Sequence, residues 1–358
     1  MLTVFQKELT PMSATACRSL RPPFQANNQI SKHMTQIKRS FTLAVLAASL
    51  LLQSAGCTRQ PPAPGVVTFG VDTFSLASAP VLIADEKGFW KGEKVAVSIK
   101  PFASGSLAVD ALVAHAVDTA TVADLPVVFA AQREPTIRIV ATFSDSDKHV
   151  NMLGRKDRGI KTPADLKGKK IAVTVGTAAE YVMDQFLQNN HIPKSAVTVI
   201  SLPPPDTVPA IVRGDVDAIV AWQPNILNAQ KQLGSNAVTF PSGDIYSQPF
   251  NVAVLDNFSQ QNPAAIVALL RGIRRAEEFI KTNKAESIAI VARRLGLDPH
   301  DLAQIWDDYS FQLNLPARLP SAMAAEDGWA RAEGLIRKDA KAPDYSTIVN
   351  AQFFQDIQ

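Results

Sequence analysis

The sequence predicts an α/β protein with a mainly parallel sheet, and three observations predict it. Strand-like and helix-like runs alternate from Val66 onward, as they do when helices cross over between parallel strands. The alternation restarts after a polar connector, "GIKTPADLKGKK". Beyond "FNVAVLD" the pattern is helical to the end. The 358 residues suffice for two ordinary domains or one large two-lobed unit. A composition of 46% apolar and 19% charged residues is that of a folded chain rather than a disordered one.

"VVTFGV" reads as the first strand, and "APVLIADEKGFW" as a helix opened by Pro80 and stopped at Gly88. "KVAVSIKPF" is a strand, and a helix follows over 107–114. "VDTATV" is a short strand, "LPVVFAAQR" a helix entered through Asp124 and Pro126, and "TIRIVATF" a strand again. After the connector come a strand over 171–175 and an amphipathic helix over 178–189. "AVTVISL", a helix over 207–213, "VDAIVAW", a helix from Pro224, "AVTF" and "FNVAVLD" complete the alternation. In the helix from Pro263, Ile266, Leu269, Leu270, Ile273 and Ile280 share one face, which predicts a core-facing stripe. Asn262 and Asp298, each followed by proline, have the form of N-caps.

The net charge of +3 hides an asymmetry. Residues 1–56 hold six basic side chains against one acidic, a net +5, so residues 57–358 carry −2. That remainder does not call for a nucleic-acid partner. "MTQIKRSFTLAVLAASLLLQSAGC" accounts for the split: Lys38 and Arg39, an apolar stretch over 41–52, then Ser54, Ala55 and Gly56. This is the order of a secretory signal, and Met34 would begin a signal of conventional length. Cys57 follows, and the segment resembles a bacterial lipobox, in which that cysteine is lipidated. It departs from the pattern at Ser54, where Leu or Val is usual, and ordinary signal cleavage fits the same residues. "CTRQPPAPG" reads as a polar tether over 57–65. Cys57 is the one cysteine after the signal, so the mature chain has no internal disulfide and no cysteine metal site. The histidines at 33, 115, 149, 191 and 300 lack metal-ligand spacing and read as surface or structural. No cofactor is expected.

Four stretches together resemble the solute-binding proteins of ABC importers, in the branch that handles nitrate, sulfonates, taurine and thiamine precursors. They are "APVLIADEKGFW", "VDTATVADLPVVFA", "GIKTPADLKGKKIAVTVGTAAEYV" and "LPPPDTVPAIVRGDVDAIVAWQP". The resemblance spans roughly 66–330. It implies a type II periplasmic-binding-protein fold, two α/β lobes closing on a ligand like a hinged trap. Mapped here, lobe one is 66–150 plus 252–358 and lobe two is 151–251, with "HVNMLGR" and "QPFNVAVLD" as the crossings. It further implies an exported monomer that hands a small solute to an ABC-transporter permease, held at the membrane through Cys57. Enzymes of the same architecture, the thiamine-pyrimidine synthases, normally need a cysteine-rich iron site that this chain lacks, so a non-catalytic role is expected. A binder of thiamine-pyrimidine precursors, or an exported sensor docking a membrane receptor, stays open.

"KKIAVTVGTAAEYVMDQFL" brings a strand, a glycine and a helix together, the arrangement that presents a helix N-terminus to an anion. It is not a nucleotide phosphate loop, because neither the second glycine nor the lysine is present. Thr177 and Ala178 at this helix start, and Ser104, Gly105 and Ser106 at the corresponding start in the other lobe, are candidates to grip an anionic group. Both are equally readable as ordinary capped starts. Glu180 stands where sulfonate-binding relatives often have histidine. It could pair with a ligand ammonium, or close a capping box with Thr177. Trp222 could form an aromatic wall beside Gln223, or pack a lobe. Asp124 could orient a ligand donor or cap its helix. Phe74 and Ser75 are placed to line the cleft, and Tyr181 could reach it or pack beneath it.

Overall fold

The computed structural model describes residues 65–93, 95–243 and 245–357. The export signal, Met34, Cys57 and most of the tether lie outside the described residues.

Among the described residues, ten strands form two five-stranded sheets. The first has the order β2 (Ala96–Phe102), β1 (Val66–Asp72), β3 (Thr119–Ala123), β10 (Gln248–Leu255), β4 (Ile137–Ser146). The second has the order β7 (Thr198–Ser201), β6 (Lys170–Val173), β8 (Ala218–Trp222), β5 (Val150–Arg155), β9 (Ala237–Phe240). Each sheet is mixed: four strands run one way, and the reversed strand is the one that the chain enters from the other sheet. β5 runs antiparallel to β8 and β9, and β10 runs antiparallel to β3 and β4. A chain leaving one sheet at its ligand edge enters the next at the same edge, so it must run backwards there. β10 pairs along its whole length, from Gln248 opposite Ser146 to Leu255 opposite Ile137. Residues 248–251, placed in lobe two by the sequence reading, therefore belong to the first sheet, and the second crossing is 241–247.

The inner strands β3, β5, β8 and β10 are covered on both faces and run almost wholly buried, whereas edge strands β2 and β7 stay partly exposed. Along β8, Ala218, Val220 and Trp222 enter one core while Ile219 and Ala221 enter the core on the other face. Along β10, Phe250, Val252 and Val254 face one way and Ala253 and Leu255 the other. The apolar stripe of helix Pro263–Thr282 is buried against the first sheet, as its spacing predicts. Gly272 in that helix is required by packing: a Cβ there would lie 2.1 Å from Nε1 of Trp90.

Element ends differ from the sequence reading in a few places. β6 stops at Val173, leaving Thr174 to Thr177 free to turn. The 207–213 helix begins three residues earlier, at Pro204, with prolines in its first turn. Asp298 caps its helix through the N–H of His300 (2.7 Å), whereas the Asn262 side chain makes no such bond. The C-terminal region is not wholly helical: Ser310 and Asn314 form single bridges to β4.

Candidate functional site

β1, β2, β3, β6 and β8 end at one cleft between the sheets, and reversed strand β10 begins there. In open α/β sheets such an edge is where ligands bind, because the strands stop and helix N-termini begin. The cleft is narrow, with a cavity volume of about 30 Å³. Its first-lobe wall is Asp72, Ser104, Gly105, Ser106, Ala123, Pro126, Gln248 and Phe250, and its second-lobe wall is Thr177, Ala178 and Trp222. His149 lines it from the first crossing.

Each helix start is built locally. Ser104 is extended (φ −160°, ψ 159°), and its Oγ accepts the Leu107 N–H at 3.3 Å, capping helix Gly105–Val113. Gly105 lets this helix lie on β3, since a Cβ would stand 3.1 Å from Cα of Val122. Opposite, Thr177 caps helix Ala178–Asn189 by accepting the Ala179 N–H at 3.3 Å, and its hydroxyl donates to the Thr174 carbonyl at 2.7 Å. The Ser106 hydroxyl donates across the cleft to the Gly176 carbonyl at 3.3 Å, so the two lobes touch at this edge.

Ser104, Gly105, Ser106, Thr177, Ala178 and Trp222 thus line the cleft as the sequence suggested, and six other candidates do not. Glu180, 5% exposed, turns back to its own chain, where Oε2 accepts the Gly176 N–H at 2.8 Å. This is a capping arrangement that reaches one residue beyond Thr177; burial raises the carboxyl pKa and the Gly176 bond opposes the shift. Ser75 caps the turn Leu76–Ser78 through the Ala77 N–H, and Phe74 is 49% exposed beside the cleft. The Gln223 side chain accepts the Leu227 N–H at 3.2 Å. Tyr181 packs edge-on against Tyr246 and Trp329, beneath the cleft.

Asp124 is fully buried in a different setting. Its Oδ1 accepts the Leu125 N–H at 3.0 Å and the hydroxyl of Tyr246, which stands on the second crossing. Glu326, from helix Leu319–Ala332, is buried beside them. Burial and then the Asp124 charge push the Glu326 carboxyl well above its usual range, while Asp124 is raised by burial to about 6. Asp124 accepts two hydrogen bonds, and burial together with the Asp124 charge opposes ionisation of Glu326.

The sequence reading missed Asp72 and His149 as lining residues, along with Ala123, Pro126, Gln248 and Phe250. Asp72 ends an otherwise apolar buried strand, a signal that could have found it. It is 3% exposed, its Oδ1 accepts the Phe74 N–H at 3.0 Å, and burial raises its pKa to about 7 against hydrogen bonds from Phe74 and Gly105. His149 lies against the Tyr309 hydroxyl through Nδ1, and burial lowers its pKa to about 3, so the ring is neutral. Trp222 is 7% exposed, and its Nε1–H is buried without a hydrogen-bond partner. An orphaned buried donor is uncommon and costs about 1–3 kcal/mol. Among the described residues, no group of three or more His, Cys, Asp or Glu is placed to hold a metal ion, and no helix is long and apolar enough to cross a membrane.

The profile of the family described as NMT1/THI5 like matches residues 76–287. A Bacillus subtilis protein named for binding aliphatic sulfonates is 29% identical over 225 residues, 62% of this chain and 68% of that protein. The taurine-binding periplasmic protein of Escherichia coli is 23% identical over 304 residues, 79% of this chain and 91% of that one. Among solved structures, the alkanesulfonate-binding protein of Xanthomonas axonopodis pv. citri bound to MOPS superposes with a TM-score of 0.71. It is 20% identical in sequence, with 80% of this chain and 98% of that chain covered. That likeness establishes the two-lobed binding-protein fold.

Proposed function

The chain belongs to the NMT1/THI5-like family, and from that premise we propose that it is the extracytoplasmic solute-binding component of an ABC importer. Its solute is a small anionic or zwitterionic organic molecule of the sulfonate or taurine kind, captured in the cleft between the lobes. The observation that carries the reading is the meeting of Trp222 and two capped helix starts on that cleft, with the Trp222 Nε1–H a buried donor without a partner. A ligand oxygen would complete it. The starts of helices Gly105–Val113 and Ala178–Asn189 flank the same space, and helix N-termini favour anionic groups by roughly 0.3–1 kcal/mol each, more when partly buried.

The relatives named above are binding proteins, and we read this chain as one without catalysis. Export through the signal before Cys57, lipidation of Cys57 and docking of a permease belong to the same reading. A thiamine-pyrimidine precursor is the second reading, favoured by the buried Asp72 carboxylate on the wall facing Trp222.

Thermal unfolding of the purified protein against taurine, alkanesulfonates, nitrate and amine-bearing pyrimidines tests this. At about 100 times the dissociation constant a ligand adds roughly 2.7 kcal/mol of stability, a readily measured shift of the midpoint. A panel in which no compound moves the midpoint of a folded sample would refute the assigned solute class.

A further inference from the structure

The cleft is not lined as a site for a plain anion would be. Among the described residues that line it there is no lysine or arginine. The charged candidate is Asp72, and the other titratable side chain, His149, is held neutral by burial. Asp72 makes no ion pair among the described residues, although it is 3% exposed.

A bland reading of Asp72 is available: it turns the chain after β1 by accepting the Phe74 N–H. Asparagine or serine would do that without burying a charge. A carboxylate has about four acceptor sites, and the Phe74 and Gly105 N–H groups leave capacity for further donors. The Gly105 N–H belongs to the first-lobe helix start, so Asp72 already occupies part of that end. The opposite wall differs, since there the Trp222 Nε1–H lacks a partner. One wall therefore offers a carboxyl group that can ionise toward a cationic partner, and the other offers the Trp222 and helix-start donors.

We propose that Asp72 is a specificity-determining residue that receives a cationic or strongly hydrogen-donating nitrogen of the ligand, while Trp222 and the Ala178 helix start receive its oxygens. The preferred solute is then an amine-bearing one, such as an aminoalkanesulfonate, rather than a plain alkanesulfonate. This rests on the cleft being the solute site, as proposed above. The sequence left Glu180 open between this pairing and a capping role; the fold takes the capping role and brings Asp72 to the cleft instead.

Titration calorimetry with a matched pair, taurine and ethanesulfonate, tests the proposal on wild type and Asp72→Asn. Asparagine keeps an acceptor for the Phe74 N–H. A charge-assisted hydrogen bond implies that wild type prefers taurine by at least about tenfold, and that the two affinities converge in the variant. Proton exchange supplies a second readout, from buffers of different ionisation enthalpy. Near pH 6 a large fraction of Asp72 is protonated, so an ammonium-bearing ligand expels a proton, whereas a plain anion retains or takes one up. Equal affinities in wild type, or a taurine preference that survives in Asp72→Asn, would overturn the role of Asp72 and leave the sulfonate reading intact. Binding of an amine-bearing pyrimidine alone, lost in Asp72→Asn, would support Asp72 while overturning the sulfonate class. Absence of binding by all three compounds to folded protein overturns both.

Discussion

Replacing Glu326 with glutamine should stabilise this protein, and increasingly so as pH rises. Glu326 and Asp124 are buried together without a salt bridge among the described residues, with Arg318 acting on Asp124 only at a distance, and Tyr246 donates to Asp124. The Glu326 proton is retained in the folded state well above the ordinary value of 4.5, because burial and the Asp124 charge oppose ionisation. In the unfolded chain that proton leaves near the ordinary value. The folded state then binds one proton more, and stability falls by about 1.4 kcal/mol per pH unit. The sign is that of a raised folded pKa: the contribution is complete below 4.5 and is lost progressively above it. Glutamine is nearly isosteric and donates from Nε2 without a proton to lose. The variant and wild type should therefore be about equally stable near pH 4.5 and diverge progressively as pH rises, until Glu326 ionises in the folded state. Urea unfolding followed by tryptophan fluorescence at several pH values measures the divergence. Parallel stability curves for the two proteins would show that Glu326 is ionised in the folded state, and the assignment of the proton would be wrong.

Trp222→Phe removes the orphan donor while retaining an aromatic wall. Ligand affinity should fall about tenfold or more if an anionic oxygen receives that N–H, whereas an unchanged dissociation constant would show that the donor is idle. Glu180→Ala should lower stability by about 0.5–2 kcal/mol through loss of the bond to Gly176, and a neutral result in chemical unfolding would remove its capping role. Gly272→Ala should lower the melting temperature despite better helix propensity. The new methyl would enter the space of the Trp90 ring, whose N–H is bonded to the Leu269 carbonyl at 2.9 Å, and overpacking costs about 1–3 kcal/mol or more. A variant as stable as wild type would mean that Trp90 moves freely.

Much of the architecture is written locally. The continuous apolar runs of β8 and β10, the stop at Gly88 and the stripe of helix Pro263–Thr282 lie within windows of a few to twenty residues. Such windows set backbone conformation and the identity of the buried face. The starts at Ser104 and Thr177 were equally visible, since a cap is made by residues two or three apart. Glu180 illustrates the limit: capping box and ligand contact require the same residue type at the same place. Its rotamer toward Gly176 is chosen by the surrounding packing.

What the sequence determined by itself is therefore most of the strands and helices, with β5 (Val150–Arg155) read only as a crossing, their restart into a second sheet, and the two helix starts at the cleft. Only the tertiary structure decided the chemistry between them. It seated Asp72 beside Gly105 and opposite Trp222, brought His149 in from the crossing, and buried Asp124 with Glu326 and Tyr246. Those neighbours come from separate elements far apart in the chain. Their meeting depends on strand order and on how the helices pack over the sheets, and desolvation acts on their charges only in the folded chain.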